Sequence, residues 1–131
     1  PIGKKKIKRF LIEAYDMSLK GESPVWDKKT QVEHILPQNI SDWNNFPNYS
    51  DETHSECVHL FGNIVPLSGE FNNTVSNKSF LEKKKALMKN TMYKSTRELF
   101  EQNYSWDPFD IKRRNEKLAK WALKRWQYLE K

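Results

Sequence analysis

The sequence predicts an α+β domain, mostly helical, in which a two-stranded antiparallel hairpin is embedded among helices. Three observations lead there. Apolar residues recur at helical spacing near the start and again over the last third of the chain. Two short apolar stretches carrying β-branched residues, 29–36 and 58–67, are bounded by Pro and Gly and read as strands. Capping signals, not further strand patterns, come after the second of them.

Residues 4–19 place Ile7, Phe10, Leu11, Ala14 and Leu19 near helical spacing behind a basic front, and Gly21 to Pro24 ends that helix. The first strand is expected over 29–36, stopped by Pro37. Residues 38–56 are rich in Asn, Asp and Ser and read as a long loop with at most a helical turn. Trp43 there is the aromatic residue expected to lie outside the core. The second strand, 58–67, has a bend at Gly62–Asn63. Ser68 offers a cap for a short helix to about Val75. Ser79 and Glu82 then stand three apart, the capping-box spacing. Helix continues over 92–103, Trp106–Pro108 breaks it, and 110–130 forms a terminal helix with a core stripe of Ile111, Leu118, Ala122, Trp126 and Leu129.

At 131 residues the chain is read as one domain over 1–131: helix and linker (1–28), finger (29–78) and helical C-terminal part (79–131). The start at Pro1, without Met, suggests a domain taken from a longer protein. Aromatics make up 13% of the residues, which argues against disorder. Lys and Arg outnumber Asp and Glu 23 to 17, so a polyanion is a reasonable partner. The single cysteine, Cys57, excludes an internal disulfide and a thiolate zinc site. It makes a reducing, cytoplasmic setting the default and is itself read as a small core residue. No apolar run is long enough to span a membrane.

The chemistry concentrates in Glu33-His34-Ile35-Leu36-Pro37-Gln38, then Gly62-Asn63, then Asn72, Asn73 and Asn77. An imidazole titrates near neutrality and can take a proton from water. A hard divalent cation wants oxygen donors, which Glu33 and an Asn carbonyl supply. Successive strand residues point to opposite faces, so Glu33 and His34 share a site only if the strand ends or bulges before Pro37. Each Asn also has a plainer reading: Asn63 as a structural hydrogen-bonder, Asn72 and Asn77 as caps or braces. His54 and His59 read as solvated, although His59 lies near enough to the second strand to approach the site.

The text EHILPQ at 33–38 with Trp43 after it, then GNIVPLSGEFNNTVSNKSFLEKK at 62–84, resembles the C-terminal HNH (ββα-metal, His-Me finger) nuclease domain of GmrSD-type modification-dependent restriction and phage-defence proteins. Trp106, Ile111, Arg114, Leu118, Ala119 and Trp126 resemble the tail of the same pattern. By that resemblance His34 is the general base, Glu33 an acidic metal ligand, Asn63 the brace of hairpin and base, and Asn72 a metal-binding third position. Asn77, Phe80 and Lys83 match further positions, Asn77 and Phe80 as structural support. The resemblance implies a DNA endonuclease using one Mg²⁺ or Mn²⁺ ion, nicking one strand per event. It also implies an N-terminal nucleotide-binding or sensor domain as partner. A non-catalytic DNA-binding module and an RNA-directed nuclease are the competing readings; oligomeric state stays open.

Two basic groups are candidates for phosphate. Lys83, Lys84 and Lys85 come soon after the site, with Lys83 preferred. Arg113, Lys117, Lys120 and Lys124 fall at spacings of four, three and four on the last helix, as a phosphate-tracking stripe or a solvated face.

Overall fold

The computed structural model describes residues 4–69, 78–89 and 93–127. Among the described residues, five α-helices surround a two-stranded sheet: α1 (Lys4–Ser18), β1 (Gln31–His34), α2 (Asp51–Cys57), β2 (Ile64–Leu67), α3 (Phe80–Leu87), α4 (Lys94–Gln102) and α5 (Pro108–Arg125). The strands are antiparallel, pairing Gln31 with Leu67, Val32 with Pro66, Glu33 with Val65 and His34 with Ile64. This is the mostly helical α+β architecture that the sequence predicts.

Helix α1 forms where expected, but it buries a different face. Ile12 and Tyr15 are enclosed, whereas Ile7 and Phe10 are 46% and 60% exposed. The difference arises from α4. Asp16 Oδ1 accepts bonds from the Ser95 backbone N–H (2.7 Å) and hydroxyl (2.6 Å), and its Oδ2 accepts one from Ser23. That polar clamp turns the Ile12–Tyr15–Asp16 side inward.

Both strands are shorter than expected. Before β1, Asp27 Oδ1 accepts from the N–H groups of Lys29 (2.8 Å) and Thr30 (3.1 Å), an Asx turn that keeps 29–30 out of the ladder. Before β2, residues 61–63 form a 3₁₀ turn, with Asn63 N–H bonded to Leu60 C=O. The polar stretch 38–56 holds more helix than a single turn. Ser50 caps α2 through the Thr53 N–H, with Asp51 and Glu52 in the first turn. Ser79 and Glu82 make the expected capping box at α3. The expected break before the terminal helix is present, since α4 ends at Gln102, and Pro108 itself opens α5. Asp107 and Asp110 form a second capping box, and proline at the first helical position gives up only a donor that has no partner there. The helix expected from Ser68 to about Val75 falls mostly outside the described residues.

The main core gathers Ile35, Leu36, Phe46, Cys57, Val65, Leu67, Phe80, Leu99, Phe100, Trp106 and Ile111 beneath the hairpin. A second cluster joins Ile12, Tyr15, Ile64 and Leu118. Ile111 and Leu118 lead the α5 stripe; Ala122 and Trp126 are half-buried, and Leu129 lies outside the described residues. Among the described residues no helix is long and apolar enough to cross a membrane.

Candidate active site

His34 ends β1 and opens onto a cavity of about 590 Å³, lined by Lys8, Arg9, Gln31, Val32, His34, Gln38 and His59. Val32 and His34 reach it together because they are two apart on a strand. The His59 ring stands edge-on to His34, with centroids 5.8 Å apart and planes at 89°. The Gln38 amide nitrogen lies 3.4 Å from His34 Nε2. Among the described residues the cavity therefore gathers two imidazoles, two amides and two basic residues.

His34 is held still through the neighbouring residues Ile35 and Leu36, which Asn63 anchors. Asn63 is wholly buried, and its amide uses every hydrogen-bonding position it has. Its Oδ1 accepts from the Leu36 N–H (2.8 Å) and the Trp106 indole N–H (2.9 Å). Its Nδ2 donates to the carbonyls of Leu36 (2.9 Å) and Val58 (3.0 Å). Its backbone carbonyl also accepts from the Ile35 N–H at 3.0 Å. One side chain thus stitches together the end of β1, the turn before β2 and the approach to α5. With both oxygen lone pairs occupied, Asn63 is a positioning residue and not a cation ligand.

Helix α5 grips the same turn. Arg114 is buried and donates from one Nη to the carbonyls of Gly62 (2.9 Å) and Ile64 (2.8 Å). Burial pushes its guanidinium down to about 10, against the opposing pull of Tyr15 and Glu98. Asn115 Oδ1 accepts from the Gly62 N–H at 2.9 Å. A β-carbon at Gly62 would stand 2.4 Å from both Asn115 N and Ile111 O, so only glycine admits this approach.

Glu33 sits on the other face of β1. The ladder is regular through His34, so no bulge re-aims either residue, and the two point apart. Glu33 is 7% exposed; Oε1 accepts from the His34 N–H at 3.0 Å, and Oε2 is buried with no hydrogen-bond partner. Burial raises its carboxyl above the usual range, with Lys83 and the His34 N–H opposing. An orphaned hard oxygen of this kind fits a divalent-cation ligand. Among the described residues no three His, Cys, Asp or Glu side chains cluster to form a metal site, so further donors would come from elsewhere. Asn72 and Asn77 lie outside the described residues.

The basic residues divide differently from the sequence expectation. Lys83 is fully enclosed, and its ammonium donates to the carbonyls of His34 (3.1 Å) and Ile35 (3.0 Å). Desolvation lowers it to about 8, with Glu33 opposing. It supports the strand end from beneath, where it cannot meet incoming phosphate; that expectation is corrected. Lys84 donates to the Asn103 carbonyl (3.2 Å) and lies over the Tyr104 ring. On α5, Arg113 pairs with Asp110 (3.0 Å), Lys117 with Glu98 (3.3 Å) and Lys120 with Glu116 (3.0 Å); Lys124 is exposed. Neither these four nor the α3 lysines line the His34 cavity. Phe80 is buried and stacks on Trp106 with planes 6° apart.

Four contributors are hard to see in sequence. Trp106 hydrogen-bonds Asn63 from 43 residues away, with no local signal beyond its place in the tail pattern. His54, expected to be solvated, bonds the Pro37 carbonyl at 2.7 Å and steadies the chain leaving the site. Lys8 and Arg9 reach the cavity from a helix read only as amphipathic.

No curated protein and no solved structure matches the chain. A family model for the C-terminal domain of GmrSD restriction endonucleases matches residues 2–121, a span that holds the hairpin, the Asn63 brace and all of α5 but its last turn. With nearly its whole length inside that match, the chain belongs to the GmrSD restriction endonuclease C-terminal domain family, and its role is that of a nuclease domain in restriction.

Proposed function

We propose that this domain hydrolyses DNA phosphodiester bonds as an HNH-type endonuclease with His34 as the general base. The observation that carries the reading is His34 itself: a braced imidazole facing a roomy cavity with Lys8 and Arg9 on its walls. Such a cavity suits an anionic substrate, and an imidazole held there suits proton removal from water. As His34 takes the proton, the water oxygen bonds to phosphorus and the bond to the 3′ oxygen breaks, leaving a 5′ phosphate.

The family resemblance implies one divalent cation, Mg²⁺ or Mn²⁺, held by Glu33 and Asn72; because Glu33 lies on the face of β1 opposite His34, sharing the ion with the His34 cavity would require the Glu33 side chain to turn around the strand end. Such an ion, when bound, stabilises charge on the phosphoryl and leaving oxygens. Asn63, through Leu36, keeps the imidazole from drifting, because small displacements in a catalytic constellation cost large factors in rate. One site cuts one strand, so nicks precede double-strand breaks. Target choice belongs to partner domains, including the N-terminal nucleotide-binding or sensor domain that the family implies.

The test is nicking of supercoiled plasmid with Mg²⁺ or Mn²⁺. His34→Ala is expected to reduce the rate at least about 100-fold, the usual contribution of a general base. A variant that nicks as fast as the parent removes His34 from the mechanism. Metal-independent DNA binding without cleavage at any divalent ion would leave a binding module instead, and faster cleavage of matched RNA would change the substrate class.

A further inference from the structure

We infer that nucleic acid enters the site along α1, with Lys8 as a contact for the phosphate next to the scissile one, and that the basic stripe of α5 is not part of the track. The inference deepens the nuclease reading by giving its substrate a path.

The first support is shared geometry. Lys8 and Arg9 line the same cavity as His34 and His59, whereas no residue of the α5 stripe does. At about 590 Å³ the cavity lies within the ~300–1,000 Å³ that encloses small ligands. A phosphodiester with its flanking sugars is of that order.

The second support is charge. Among the described residues, every titratable side chain on the cavity wall is Lys, Arg or His, in a chain with 17 acidic residues. The stripe on α5 is the reverse case. Arg113, Lys117 and Lys120 each face a carboxylate within about 3.3 Å, and Arg113 and Lys117 line a separate hollow together with Asp110. The carboxylates beside the stripe lower the net positive charge there, which makes it the weaker attractor of phosphate.

The third support is rigidity. Arg9 donates to the carbonyls of Thr30 and of Asp27, the latter at 2.8 Å, and its guanidinium lies 5.4 Å from the centre of the Trp26 ring. It ties α1 to the turn that launches β1. Lys8, one residue before it, is thereby held at a fixed offset from His34. Arg9 is a positioning residue here and Lys8 the contact.

The test measures binding of a short labelled DNA duplex in EDTA over a range of salt concentrations, beside plasmid cleavage with Mn²⁺. Lys8→Gln is expected to weaken binding about 5- to 10-fold near 0.1 M salt and to reduce the slope of log K against log salt by about 0.9, one phosphate contact. Lys8→Arg keeps the parent slope. Gln31→Glu places a negative charge on the same wall, at an exposed strand position that tolerates the change, and should weaken binding even if Lys8→Gln folds poorly. The triple variant Lys117→Gln, Lys120→Gln, Lys124→Gln is expected to bind like the parent.

Lys8→Gln and Gln31→Glu that both bind like the parent overturn the inference, as does a larger loss in the triple variant. If the parent cleaves DNA while those cavity variants behave as parent, this inference fails alone. If binding depends on Lys8 and no divalent ion supports cleavage, the nuclease reading fails alone. A parent that binds no DNA ends both.

Discussion

Asn63 and Glu33 are both buried polar side chains on the same hairpin, and they are treated in opposite ways. Asn63 has two donors on its oxygen and two acceptors on its nitrogen, all within 3.0 Å. Glu33 has one oxygen bonded to the next N–H and the other bonded to nothing. A saturated polar group fixes the shape of its surroundings, because every alternative geometry leaves something unpaired. An unsaturated one costs stability and persists where something outside the chain completes it. The contrast separates the hydrogen-bonded platform from the carboxylate that we propose takes the cation.

The contrast is broken most severely at Asn63. Asn63→Leu keeps the volume but strands the Leu36 N–H and C=O, the Val58 C=O and the Trp106 indole N–H. At about 1–3 kcal/mol for each orphaned group, the loss should be at least about 4 kcal/mol. That is most of the stability of an ordinary domain. Urea unfolding monitored by circular dichroism should find the variant largely unfolded at low denaturant. A cooperative transition near the parent midpoint would mean that the brace is dispensable.

Gly62→Ala attacks the same platform from the backbone side. The added carbon meets main-chain atoms of α5 at 2.4 Å, and main chain cannot swing aside. Overpacking of this kind costs about 1–3 kcal/mol, read as a lower urea midpoint at unchanged m-value. Asn115→Ala in the same background should recover little, since the clash is with the backbone.

Glu33→Gln sharpens the other half of the comparison. Burial of the carboxylate outweighs the attraction of Lys83, since the group is raised and not lowered. Removing its charge should leave the protein at neutral pH within about 1 kcal/mol of the parent, or more stable. The same change should abolish the thermal stabilisation by Mn²⁺, expected in the parent to be about 1.4 kcal/mol at ten times the dissociation constant. Equal Mn²⁺ shifts in parent and variant would remove Glu33 from the cation site.

The legible parts of this molecule are those governed by near neighbours. The capping box at Ser79 and Glu82, the helix over 4–18 and the two strands can be seen in short sequence windows. Helix α2 is hidden because its residues are almost all polar; its cap and acidic first turn are the available signal. Trp106–Pro108 is legible as the break between α4 and α5, and the fixed φ of proline also suits it to start the new helix. Residue type and register with a family pattern single out His34, Glu33 and Asn63. Their division into cavity-facing imidazole, orphaned acid and brace depends on which face of β1 each occupies or meets.

The sequence alone determined the identity of the elements, the basic balance and the residues capable of the chemistry, since propensity, capping and ionisation belong to residues and their close neighbours. Tertiary structure decided which of those groups meet. It sent Lys83 beneath the strand, neutralised three members of the α5 stripe with carboxylates, and brought Lys8 and His59 to the side of His34. Those outcomes turn on contacts between residues up to about 50 positions apart, where desolvation and charge pairing depend on packing that no local window contains.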